Sequence, residues 1–164
     1  MADVTIADVM RAYANDAVAY ALRAGKGHLD FSERSLEDVD QLLAEKVKSG
    51  LLVPDALSES ERNELWGFCK MMGGYVGEVI IRNIGGDWQT EGLEDGAAHV
   101  VLVVAGVRGS PPEAIWRALT EPYRGIASYY RCLRVVLGHG EERFEGGFRS
   151  VQLPPLSAEP PPGD

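Results

Sequence analysis

The stretch from Leu65 to Trp88, LWGFCKMMGGYVGEVIIRNIGGDW, limits what this chain can fold into more than any other. Leu65, Phe68, Cys69, Met72, Val76, Val79 and Ile80 recur at three- and four-residue steps, which places them on one helical face. Upstream, Ser58 stands three residues before Glu61. That spacing predicts a capping box, with the hydroxyl accepting from the Glu61 amide and the carboxylate reaching back. On the other side, Gly67, Gly73, Gly74 and Gly77 interrupt the helix, while Trp66 and Ile81 add apolar surface. A glycine in a helix interior costs about 1 kcal/mol relative to alanine. Four of them therefore require a compensating cause, and close approach of neighbouring segments supplies one. Gly73-x-x-x-Gly77 is a membrane dimer motif only within an apolar span, and Lys70, Glu78, Arg82 and Asn83 exclude such a span here. The expectation is a central helix contacted on most sides and ended by Gly85 and Gly86.

The flanking segments follow the same logic. Residues 5 to 24 read as an amphipathic helix with Ile6, Val9, Met10, Tyr13, Ala17 and Tyr20 on its buried stripe, stopped by Gly25 and Gly27. Ser32 or Ser35 is placed to cap a second helix running to about Ser49, with Leu36, Val39, Leu42, Leu43 and Val47 on one face. A linker containing Pro54 leads to the central helix. After Gly86 the period changes to two. Trp88 and Thr90 suggest a short strand, Gly92 to Gly96 an acidic turn, and His99 to Val104 a buried strand, the two strands pairing as an antiparallel hairpin. Gly106 to Gly109 closes the second strand. Ser110-Pro111-Pro112-Glu113 is a strong helix start. Ile115, Leu119, Tyr123, Ile126, Tyr130, Leu133 and Leu137 continue the apolar face, with Pro122 kinking or splitting it. The expected fold class is α+β, with four to five helices around a glycine-rich central helix and a small antiparallel hairpin or sheet. Residues 1–150 form one domain, and 151–164 form a proline-rich tail that is disordered or polyproline II.

Composition removes several function classes. The formal net charge of −9 argues against nucleic acid as a partner, since phosphate neutralisation needs a basic face. No membrane-length apolar run and no secretory signal pattern are present, so a cytoplasmic location is expected. Cys69 and Cys132 lie far apart within helical patterns and read as reduced thiols. No Cys-x-x-Cys, His-Glu-x-x-His, Walker loop, dinucleotide glycine loop or Gly-x-Ser-x-Gly occurs, so no metal and no cofactor is expected. His28, His99 and His139 are scattered. His99 reads as a structural residue. His28 with Asp30 is a weak acid–base or metal pair, and a turn is the plainer reading.

Three segments carry a family resemblance: FSERSLEDVDQLL, GGYVGEVIIRNIGGDW, and the proline-initiated helix ending in tyrosines. Together, over roughly residues 10 to 137, the chain resembles small, mostly uncharacterised bacterial domains of unknown function. The resemblance implies a compact α+β domain and brings no activity with it.

Two groups of side chains are candidate sites. Met71, Tyr75, Glu78 and Arg82 form a band on the central helix, and Trp88 follows, so Tyr75, Glu78, Arg82 and Trp88 are placed to line a pocket for a small polar ligand. The competing structural reading is an intrahelical Glu78–Arg82 pair with core aromatics. Arg117, Arg124, Arg131 and Arg134 recur at helical spacing, as a stripe for an anion, a partner, or the chain's own acidic second helix. Residues 30 to 64 hold Asp30, Glu33, Glu37, Asp38, Asp40, Glu45, Asp55, Glu59, Glu61 and Glu64 against Arg34, Lys46, Lys48 and Arg62. Solvated faces with internal ion pairing are favoured over two opposed docking surfaces. The leading functional expectation is a non-enzymatic cytoplasmic interaction domain, accessory or immunity-like, with a protein partner. The alternative is a small polar-ligand binder or unrecognised enzyme.

Overall fold

A computed structural model describes residues 2–92, 98–122 and 124–138. Expectations for the acidic turn, Tyr123, His139 and the proline-rich tail lie mostly or wholly outside these residues. The described chain is α+β, with five helices and one three-stranded antiparallel sheet.

The first helix, α1, spans Ile6–Ala24 and is opened by a Thr5/Asp8 capping box. The second, α2, spans Ser35–Lys46. It stops three residues short of the expected Ser49, and a hydrogen-bonded turn continues to Gly50. A single 3-10 turn at Pro54–Ala56 precedes α3, which spans Glu59–Asn83. The expected Ser58/Glu61 capping box is present, with both hydrogen bonds formed at 3.2 and 2.8 Å. Beyond Asn83, Gly85 and Gly86 have φ of 112° and 121°, a region that L side chains rarely adopt, and the helix cannot continue through them.

The glycines of α3 explain how one helix meets three neighbours. A Cβ on Gly74 would lie 2.8 Å from the Met10 carbonyl oxygen, so α1 crosses with its backbone against α3. This approach selects small residues on α1. Ala14, Ala17 and Ala21 are buried with Met10, while Val9, expected on the stripe, is 38 % exposed. A Cβ on Gly73 would lie 2.5 Å from Pro112 Cα and N, at the start of the fourth helix. On Gly77 it would overlap the Trp88 indole. Gly77 thus admits a side chain rather than backbone. Gly67 has nothing within 4 Å, which corrects the expectation that all four glycines mark close approach.

Strands β1 (Asp87–Gly92) and β2 (Ala98–Val104) pair antiparallel, with Trp88 opposite Leu102. Opposite residues share a face, so Trp88, Leu102 and Val104 enter the core together. A third strand, β3 (Val107–Gly109), pairs with β2 from Val104↔Val107 to Leu102↔Gly109. The segment Gly106 to Gly109, expected only to close the second strand, contains this third strand. Ala105 and Gly106 both have positive φ, 47° and 81°, which is the backbone of a two-residue hairpin turn.

Helix α4 spans Pro111–Thr120, capped by Ser110, and α5 spans Ile126–Val136, so the apolar run splits at Pro122 as expected. Helix α5 has no side-chain cap of its own. Instead Asp40 of α2 accepts from the Ile126 and Ala127 amides at 2.6 and 3.0 Å.

Candidate functional site

The acids of α2 and the loop before it divide by face. Glu33 and Asp40, seven residues apart, turn toward α5. Glu33 accepts from the Tyr130 hydroxyl at 2.7 Å and pairs with Arg134 at 3.0 Å. Burial, reinforced by the neighbouring Glu33 carboxylate, raises the Tyr130 phenol above its ordinary range, while Arg134 opposes the shift. Arg34, Glu37, Asp38 and Gln41 follow three- and four-residue steps on another face. With His28, Asp30, Ser32 and Ser35 they line an open cleft of about 370 Å³.

The loop that forms one wall of this cleft is braced from below by α3. Phe31 has φ of 64°, an outlier for a bulky residue. Its amide donates to the Tyr75 hydroxyl at 2.9 Å, and its carbonyl accepts from Asn83 Nδ2 at 3.1 Å. Its ring lies under the Arg82 guanidinium at 3.6 Å and against the Tyr75 ring at 4.9 Å. Tyr75 is fully buried, and its hydroxyl also hydrogen-bonds Ser35 Oγ at 2.6 Å. Burial raises the Tyr75 phenol, with the Ser35 and Phe31 hydrogen bonds opposing. Asp30 accepts from the Ser32 amide at 3.0 Å, and its carboxyl is held below the usual range by hydrogen bonding to Ser32. Asp38 accepts from the His28 amide at 3.3 Å.

The four candidates on and after α3 therefore divide into two pairs. Tyr75 and Arg82 hold the loop. Glu78 is 4 % exposed and accepts from Trp88 Nε1 at 3.1 Å. The intrahelical Glu78–Arg82 pair is replaced by these contacts, because the indole reaches Glu78 across Gly77 while Phe31 draws the guanidinium away. The arginines also disperse. Arg134 meets Glu33, Arg124 meets Glu121 at 3.2 Å, Arg131 meets Ser128 at 3.2 Å, and Arg117 exerts a field on Glu113. They sit on α4, on α5 and between them, and Arg134 pairs with Glu33 in the loop before α2.

Of the cleft residues, the sequence marked His28 and Asp30 only weakly. Asp38, Glu37 and Ser35 were hidden because their significance depends on where α3 presses the loop. Cys69 is a fully buried thiol, pushed up to about 12 by burial, and Cys132 is free. No group of three metal-binding side chains exists among the described residues. None of their helices is long and apolar enough to cross a membrane. No family model, curated protein or solved structure matches this chain.

The open recess is lined by three carboxylic residues, Asp30, Glu37 and Asp38, and one arginine, Arg34. Such a surface attracts cations and hydrogen-bond donors.

Proposed function

We propose that this chain is a non-enzymatic, cytoplasmic protein-interaction domain, accessory or immunity-like, and that its cleft receives basic side chains of a protein partner. The carrying observation is the placement of three carboxylates about one cleft, Asp30 on the loop whose Phe31 is braced by Tyr75, Arg82 and Asn83, and Glu37 and Asp38 in the first turn of α2. The Tyr75 hydroxyl, by contrast, is bonded within the protein, as are the Glu78 carboxylate and the Trp88 indole to each other. The net charge of −9 adds a long-range field that speeds encounter with a basic partner.

A tetra-arginine peptide titrated into the labelled protein tests this by amide NMR. Shifts should concentrate at Ser32 to Gln41, weaken at least about threefold for Glu37→Gln, and fade with salt as screened contacts do. Shifts spread evenly over every acidic surface would contradict the reading. The second reading, a small polar ligand, is favoured by volume alone: roughly 300–1,000 Å³ is usual for such sites, though they are mostly apolar. A thermal-shift response to a single polar metabolite, with no peptide binding, would select it.

A further inference from the structure

Glu113 sits in the first turn of α4, where its amide donates to Ser110 Oγ at 3.4 Å. Only 8 % of the residue is exposed, and its Oε1 is buried without a hydrogen-bond partner. The nearest basic group is His99 Nε2 of β2, at 3.5 Å, itself largely buried. Two further groups act on this carboxyl. Arg117, one turn along α4, favours its charged form, and Tyr129 of α5 feels its charge. Burial of Tyr129, aided by that carboxylate, pushes the phenol up to about 12, so it stays a neutral neighbour. On the β1 side, Glu91 stands opposite His99 but is tied to Arg108. Helix α3 approaches the same turn through Gly73, against Pro112.

We propose that His99 and Glu113 form a proton-held latch between β2 and the first turn of α4. One proton between the ring nitrogen and the carboxyl oxygen makes one a donor and the other an acceptor, whichever carries it. Without that proton the carboxylate is a buried charge facing a neutral ring that has a single N–H to share, and an under-paired charge in a buried site is costly. On the β3 side the sheet offers β2 no partner at the latch. Strand β3 pairs with β2 only from Leu102 to Val104, and at His99 the contact is with α4.

Burial pushes the Glu113 carboxyl up from 4.5 to about 7, against the opposing field of Arg117. The folded-state value is raised, so between pH 4.5 and 7 the folded chain holds a proton that the unfolded chain has released. Stability is therefore full below that window and falls as pH rises through it.

The test uses the full chain. Carboxyl-carbon NMR titration from pH 4 to 9 should show Glu113 titrating near 7. Exchange of the Ala114 to Arg117 amides, corrected for base catalysis, should rise at least tenfold from pH 6 to 8 in the wild type. Glu113→Gln, whose amide donates at every pH, should remove that rise. A Glu113 carboxyl titrating below pH 5, or identical exchange profiles in wild type and variant, would overturn the latch. The wild-type titration decides alone if the variant fails to fold.

Discussion

Gly77→Leu should destabilise the fold by about 3 kcal/mol or more, at the upper end of overpacking penalties. A Cβ at this position already overlaps the Trp88 ring, before any of the leucine's further atoms are placed. The indole has little room to retreat. It is 6 % exposed, sits opposite Leu102 in the sheet, and donates to Glu78 through Nε1. Gly67→Ala is the internal control. The site is exposed with open space around it, so ordinary helix propensity applies and stability should rise by up to about 1 kcal/mol. Urea unfolding measures both. A Gly77→Leu midpoint at the wild-type value would mean that the indole does not cover Gly77.

Trp88→Ala should cost about 3–5 kcal/mol from the lost ring and the cavity it leaves. A second penalty adds to it, because Glu78 loses the donor that satisfies its buried carboxylate. The two substitutions address one volume from opposite sides, and this makes the pair more informative than either alone. In the Gly77→Leu/Trp88→Ala double variant, the leucine enters space vacated by the indole. The double should be less damaged than the sum of the singles by about 1–3 kcal/mol. Calorimetric or urea-derived stabilities of the four proteins close the cycle. Strict additivity would separate the two residues and remove the packing account of this end of α3.

The central helix was legible because spacing, the Ser58 cap and the Gly85-Gly86 stop all point the same way, and helices obey such local signals. The glycines announced close contact but not with what. Gly73, Gly74 and Gly77 serve α4, α1 and Trp88 respectively, a partition that only tertiary structure sets. That partition also explains the misplaced α1 stripe, since a helix seated on glycine buries its alanines instead of Val9. Strand β3 escaped notice because three residues carry too little periodicity, and its turn places Ala105, a non-glycine, at positive φ.

The candidate site was half legible. Tyr75, Glu78, Arg82 and Trp88 do make polar contacts, but in two pairs that face different elements. Nothing in local sequence directs Arg82 to Phe31 rather than to Glu78, four residues away. The acids of α2 were counted as a charge excess. Their division into Glu33 and Asp40 toward α5, and Asp30, Glu37 and Asp38 toward the cleft, depends on where α5 returns to the fold.

The central claim is that α3 organises the fold and, through Tyr75, also fixes the loop that forms one wall of the proposed binding cleft. Removing the Tyr75 hydroxyl tests both halves at once. Tyr75→Phe keeps the ring that packs on Phe31 but deletes the bonds to the Phe31 amide and Ser35 Oγ. The measurement is a tetra-arginine titration of Tyr75→Phe beside wild type, followed by amide NMR. The account predicts a core spectrum retained across α1 and α3, large shift changes at Phe31 to Ser35 before any peptide is added, and peptide affinity reduced at least about tenfold. An unchanged affinity, with the Phe31 to Ser35 amides at their wild-type positions, would contradict it.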